Sequence, residues 1–315
     1  MTIHKIIPLL ALVFAALPAQ AADAVRLGLL KTLSPAPFYI AQERGYFREA
    51  GIDLTFTFFQ AAQPIAAAAV SGDIDVGVTA LTGGFFNLAE KGTLKVIGGA
   101  LHEEKGYEGS AILASAKAYA AGLTSVDKLP GHSFAITQYG SSFHYMLGRI
   151  AEKKGFDIKT MTLRPVQQIS NMVAAVSSGQ ADATIAIASQ AKPLAASGQA
   201  HIIGWAGDLV PYQITALFTT TGMIERNPDV LRRFAQAYQR GVADYREAFL
   251  RLDAAGKPIV DAKTDAAIPA ITAYVFTGDP EGCEPKLWDQ AAAFDDASGW
   301  LRLAGADGLS ASAAQ

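Results

Sequence analysis

Residues 25–80 read VRLGLLKTLSPAPFYIAQERGYFREAGIDLTFTFFQAAQPIAAAAVSGDIDVGVTA. Three short apolar runs of strand length, VRLGLL (25–30), IDLTFTF (52–58) and DVGVTA (75–80), alternate with two helical stretches, PFYIAQERGYF and the Ala-rich segment near 64–71. Strands separated by helices need parallel crossovers, so this order predicts an α/β sheet with helices on its faces.

The same order returns about a hundred residues later. HSFAITQ (132–138) precedes a helix over 141–154, then come FDIKTMTL, a helix over 170–178, and ADATIAIA. Individual residues repeat as well. Gly51-Ile52-Asp53-Leu54 corresponds to Gly155-Phe156-Asp157-Ile158, and Gly72-Asp73-Ile74-Asp75 to Gly179-Gln180-Ala181-Asp182. In each, a glycine closes a helix where the backbone needs positive φ, and a turn acid leads into a strand. The expectation is two Rossmann-like α/β lobes: residues 22–112 begin the first, 113–209 form the second, and 210–315 return, complete the first and end in helices. Extended stretches at 101–116 and 210–220 are suited to crossing between them. NPDVLRRFAQAYQRGVADYREAFLRL, from residue 227, predicts a long amphipathic helix packed back on the first lobe, with Asn227 as N-cap and Pro228 in its first turn. Trp288 and Trp300 read as core or anchoring residues.

Outside this repeat the chain begins MTIHKIIPLLALVFAALPAQA, with Lys5, a short apolar run and the small residues Ala19 and Ala21. That pattern predicts a secretory signal peptide cut after Ala21. The run is too short for a membrane anchor, which needs about 20 apolar residues, and no cysteine follows it to carry a lipid. Removing residues 1–21 takes away Lys5 and no acid, so 26 basic and 29 acidic residues become 25 and 29, a net charge of −4. No basic run exceeds a dipeptide, which argues against nucleic-acid binding. Cys283 is the single cysteine, so neither an intrachain disulfide nor a cysteine zinc site can form.

Catalytic motifs are scarce. Ser125-Val126-Asp127-Lys128 fits the serine-x-x-lysine pattern without its companion motifs and reads as a helix cap or turn. The five histidines show no metal-ligating spacing; His102 and His144 fall near predicted cleft loops, in hydrogen-bonding roles. No cofactor or metal is expected.

Ligands of parallel sheets bind beyond the carboxyl ends of the strands. Applied to the first lobe, that rule selects Ser34, Gln60, Thr79 and Thr82. In the second it selects Tyr139, Ser141, Ser142, Arg164 and Gln190. Arg164 is either a fixed positive charge for the ligand or a solvent-exposed strand-end arginine. The aromatic residues Phe38, Tyr39, Tyr107, Tyr139, Phe143 and Trp205 near these loops lean toward a planar organic ligand.

Taken together, Phe38-Tyr39-Ile40-Ala41, Gly45-Tyr46-Phe47, Gly51-Ile52-Asp53-Leu54, Ser71-Gly72-Asp73-Ile74-Asp75-Val76-Gly77 and Val126-Asp127-Lys128-Leu129-Pro130-Gly131 resemble the periplasmic substrate-binding proteins of nitrate, sulfonate and taurine ABC importers, relatives of thiamine-pyrimidine precursor binding proteins. The resemblance implies a type II periplasmic binding protein fold, a cleft that closes on a small solute, and delivery to an ABC permease and its ATPase; with the aromatic residues above, the expected solute is an aromatic or sulfonated acid or a heterocycle, and the mature protein is expected to be a soluble monomer. The resemblance also implies ligand contacts at Ser34, Phe38, Thr79, Thr82, Ser141 and Ser142. Two departures leave the solute class open: Ile187-Ala188-Ser189-Gln190-Ala191-Lys192-Pro193 lacks the acid-proline pair often seen there, and the loop after the second lobe's second strand lacks its usual glycine-rich turn. Alternative readings are an enzyme of the thiamine-pyrimidine or menaquinone type on the same fold, which the signal peptide argues against, and a ligand-sensing subunit for a membrane receptor.

Overall fold

A computed structural model describes residues 21–105, 108–251, 253–254 and 259–275. Residues 1–20 of the expected signal peptide, Tyr107, Cys283, Trp288, Trp300 and the chain beyond residue 275 lie outside the described residues.

The first lobe runs β1 (Asp23–Leu30), α1 (Ala36–Glu43), α2 (Tyr46–Glu49), β2 (Ile52–Phe59), α3 (Gln63–Ser71), β3 (Val76–Ala80), α4 (Gly83–Glu90) and β4 (Leu94–Gly99). A crossing segment holding β5 (His102–Glu103) leads to the second lobe: β6 (Ser110–Ser115), α5 (Ala116–Ala120), β7 (Ser133–Ile136), α6 (Ser142–Lys154), β8 (Thr162–Pro165), α7 (Ile169–Ser177), β9 (Ala183–Ile187), α8 (Ala188–Ala196) and β10 (Ala200–Trp205). The chain then returns through α9 (Ala206–Leu209) and β11 (Tyr212–Gln213) to β12 (Thr215–Thr220), α10 (Thr221–Arg226), α11 (Pro228–Phe249) and α12 (Ala262–Val275).

Each lobe is built on a five-stranded mixed sheet. Their orders, β2-β1-β3-β12-β4 and β8-β7-β9-β6-β10, match position by position. In both, the first three strands are parallel and the fourth, delivered by a crossing segment, is antiparallel to its neighbours. The two crossings pair with each other as well: β5 and β11 form a short antiparallel ladder, Glu103 opposite Tyr212 and His102 opposite Gln213. These paired strands lie in the two connections between the lobes.

The repeat seen in the sequence has a physical counterpart. Gly51, Gly72, Gly155 and Gly179 all take positive φ, between 69° and 83°. The turn acids that follow Gly72 and Gly179 close the same contact in each lobe: Asp75 accepts from the backbone N–H of Arg26 at 2.8 Å, and Asp182 from that of Ser133 at 2.9 Å, each bond spanning 49 residues. Each carboxylate thereby bonds the backbone of the neighbouring strand, within β1 and at the first residue of β7.

The long helix α11 packs on the first lobe as its stripe predicts. Leu231, Phe234, Tyr238, Val242 and Tyr245 are buried, and Tyr238 stacks on Phe38 of α1 with ring centroids 3.9 Å apart. The helices can approach this closely because residue 241 is glycine; a methyl there would overlap the Pro37 carbonyl and the Ala41 side chain. Asn227 does not cap α11. Its side-chain amide points back to the Met223 sulfur instead, 3.3 Å away. The stretch FDIKTMTL is strand only from Thr162, since Asp157 folds its first half into a 3-10 turn by accepting from Lys159 N–H. Ser125 precedes a 3-10 turn over Val126–Lys128, and Lys128 bonds Thr124, so this segment is structural.

Candidate functional site: a hydroxyl-lined cavity between the lobes

The carboxyl ends of the parallel strands in both lobes face a single cavity of about 50 Å³. The first lobe contributes Leu30, Thr32 and Ser34 from the β1–α1 loop, Ala62 at the start of α3 and Ala80 at the end of β3. The second contributes Thr137 after β7, Ser142 and Phe143 at the start of α6, Ile169 at the start of α7 and Ile187 at the end of β9. Leu101, Ile214 and Thr215 come from the crossing segments. The wall is therefore aliphatic with hydroxyls set into it, and no residue named in it carries an ionisable side chain.

The hydroxyls differ in how far they are engaged. Thr215 Oγ1 accepts from Leu101 N–H at 2.7 Å, bracing one crossing segment against the other. Thr32 and Ser34 bond each other at 3.0 Å. Backbone donors come from helix starts, where the first N–H groups have no intrahelical partner and the helix dipole is positive. At α6 the Ser141 side chain caps His144 N–H at 3.2 Å, leaving the amides of Ser142 and Phe143 without an intrahelical partner; α7 begins without a side-chain cap. The His144 ring accepts from Gly140 N–H through Nδ1 at 3.1 Å, and burial lowers its pKa, so it faces the loop as neutral imidazole.

Across the mouth the lobes touch. Gly83 N–H donates to the Gly140 carbonyl at 2.9 Å, and the Gln138 side-chain amide donates to that of Gln63. This is a closed conformation. A volume of 50 Å³ has room for a few water molecules, whereas organic ligands occupy pockets of roughly 300–1,000 Å³, so a solute requires the lobes to part.

A family model described as NMT1/THI5 like matches residues 33–248, more than half of the sequence and all but two of the residues that form the cavity. The chain belongs to the NMT1/THI5 like family. Among solved structures it is similar to the periplasmic aliphatic sulphonate binding protein SsuA from Escherichia coli, at 18% identity and TM-score 0.63 over 82% of this chain and 80% of that one. It is similar to the alkanesulfonate-binding protein SsuA from Xanthomonas axonopodis pv. citri, solved with MOPS bound, at 18% identity and TM-score 0.64 over 91% and 98% of the two chains. A third similar structure, the periplasmic nitrate-binding protein NrtA from Synechocystis PCC 6803, shares 15% identity at TM-score 0.63 over 81% and 67%. At these identities the likeness establishes the periplasmic binding protein fold. Comparison with curated proteins gives no match. Among the described residues, no helix is long and apolar enough to cross a membrane, and no group of three or more His, Cys, Asp or Glu side chains could hold a metal ion.

In this member of the NMT1/THI5 like family, the residues picked from sequence divide sharply. Ser34 and Ser142 form part of the cavity wall. Ser141 and Thr82 cap α6 and α4, Thr82 accepting from Phe85 N–H at 3.2 Å. Thr79 precedes Ala80 on β3 and so faces the opposite side of the sheet; its Oγ1 is buried without a hydrogen-bond partner, as is Gln190 Oε1 in α8. Phe38 is a correction: it is fully buried between α1 and α11, stacked on Tyr238 and away from the cavity. Gln60 is exposed at the end of β2, and Arg164 is exposed on the edge strand β8, the strand-end alternative. Tyr139 is 61% exposed and meets His144 edge-on. Trp205 ends the opposite edge strand, β10, and packs on the core. Tyr39 is buried and stacks on Tyr274, so of the described aromatic candidates only Phe143 reaches the cavity.

Sequence reasoning did not reach Thr32, Thr137 or Thr215. Thr137 was within reach, as the residue after the last β7 position; Thr215 depends on the return crossing and has no local signature. For the caps, Ser141→Ala is expected to lower stability by about 1 kcal/mol, since His144 N–H then loses its partner; thermal unfolding of the variant measures this directly.

Proposed function

We propose that this chain is a non-enzymatic, exported solute-binding protein that captures a small organic acid between its lobes and delivers it, in the periplasm, to an ABC permease and its ATPase. The observation that carries this reading is the inter-lobe cavity itself, whose wall offers hydroxyls, helix-start amides and aliphatic side chains but, among the described residues, no acid, base or nucleophile-activating group. Such a wall can orient a ligand and has nothing positioned to transform it.

The same features favour an organic acid. Amides at the start of α6 and α7 favour negative charge, no carboxylate in the wall opposes it, and Leu30, Phe143, Ile169, Ile187 and Ile214 accommodate an apolar body. The sulfonate and nitrate specificities of the structural neighbours fit an anion. Because the other described aromatics lie elsewhere, the body need not be planar.

A thermal-shift and tryptophan-fluorescence screen of the mature protein against alkyl and aryl sulfonates, carboxylates, nitrate, pyrimidines and flavins tests this. Stabilisation by an organic acid recovered unchanged is expected. Chemical turnover of any hit, or stabilisation by cationic and neutral compounds alone, would overturn the reading.

A further inference from the structure

The ladder between the crossing segments contains a carboxyl group with no charge partner among the described residues. Glu103 in β5 is completely buried. Its Oε1 accepts from Ser110 Oγ at 2.5 Å and its Oε2 from Ser110 N–H at 3.3 Å. Ser110 opens β6, so these bonds join the crossing segment to the second lobe. Directly opposite in the ladder stands Tyr212, whose hydroxyl is buried without a hydrogen-bond partner. Over Tyr212 lies Tyr145 of α6, the rings edge-on with centroids 5.6 Å apart.

The charged surroundings do not compensate. His102 on β5 and Glu104 just after it flank Glu103 and lie 3.8 Å from each other. Beyond the ladder, α9 brings Asp208, and its Gly207 packs so tightly on Glu104 that a methyl would overlap the backbone carbonyl. Lys192 of α8 is paired with Glu108. No cation among the described residues pairs with Glu103. Desolvation raises its pKa, and the two bonds from Ser110 only partly oppose this.

We propose that Glu103 makes lobe closure proton-dependent: the closed hinge holds it as the neutral acid, and opening, which lifts Tyr145 off Tyr212 and admits water, lets it ionise. This deepens the solute-binding reading and rests on it. The direction follows from linkage. The closed form has the raised pKa and binds more protons between the ordinary carboxyl range and that raised value. Closure is therefore most favoured below the ordinary range and loses this advantage as pH rises through the closed-form value. In the window between, the closed-to-open ratio changes by up to about tenfold per pH unit. Solute is then held more tightly in acid and released more readily toward neutral pH.

The test measures the distance between spin labels across the cleft mouth, at Phe86→Cys and Tyr139→Cys, both more than half exposed, in a Cys283→Ser background. Solute-free protein is compared between about pH 5 and pH 8. The expected result is a short-distance population that grows in acid, stays high at every pH in Glu103→Gln, and titrates normally in Glu104→Gln. Glu103→Leu serves as a second uncharged variant, and infrared difference spectra should lose a protonated-carboxyl band in either. A population that ignores pH, or one that titrates in Glu103→Gln as in the parent, overturns the proposal. If sulfonates or carboxylates from the screen still shorten the distance, the hinge proposal alone falls. A distance that no pH and no screened solute changes removes the binding reading as well.

Discussion

Replacing Phe38 with alanine should cost about 3–5 kcal/mol of stability and leave solute affinity within about twofold in the protein that remains folded. The ring is wholly buried, stacked on Tyr238 at 3.9 Å and tilted against Phe234 at 5.9 Å. Truncation opens a cavity where α1 meets α11, and the close approach at Gly241 leaves the helices little freedom to collapse into it. At about 2–4 °C per kcal/mol for a chain of this size, the melting temperature falls by roughly 10 °C. The family resemblance places Phe38 among the ligand contacts, which makes the experiment discriminating. A normal melting temperature with weakened binding would move Phe38 back into the cleft.

Ser142→Asp should have the largest effect on binding. Ser142 is the first residue of α6 and part of the cavity wall. The dipole at the helix start favours aspartate, which offsets part of the cost of burying a carboxylate at this site, and the melting temperature is measured beside the affinity. A bound organic acid would then face a carboxylate at about 4 Å. At an effective dielectric of 20 that repulsion is about 4 kcal/mol, which converts to an affinity loss of roughly 100- to 1,000-fold. Calorimetric titration of the screened acid measures it. An unchanged affinity would mean that the solute carries no negative charge near α6, and the anionic reading would fail.

The architecture was largely legible in the chain because it rests on local rules. Strand-helix alternation, glycines at positive φ and turn acids are short-range signals, and Gly51, Gly72, Gly155 and Gly179 play in the structure the parts their spacing suggests. What sequence order could not show is the exchange of antiparallel strands, in which β6 and β12, each delivered by a crossing segment, complete the sheets. That arrangement is set by non-local pairing such as Ala216 with Thr79 and Gly99. The site was less legible for a related reason. A loop position says that a residue lies near the carboxyl end of a strand, not which side of the strand it faces. Thr79 and Ala80 are neighbours, yet only Ala80 reaches the cavity. Serines before helices carried two meanings at once: Ser141 caps α6, while Ser142 meets the solute space. Aromatic residues misled because a ring near a cleft loop can equally anchor that loop, as Phe38 and Tyr39 do against α11 and α12.

On the solute-binding reading, the two α/β lobes close on a solute in a cavity too small to admit it without opening. Small-angle X-ray scattering of the mature protein, with and without a saturating acid from the screen, tests this most directly. The expected result is a larger radius of gyration without solute and contraction when it binds, toward the value calculated for the closed conformation. The same compact radius in both states, with the solute nonetheless bound, would contradict it.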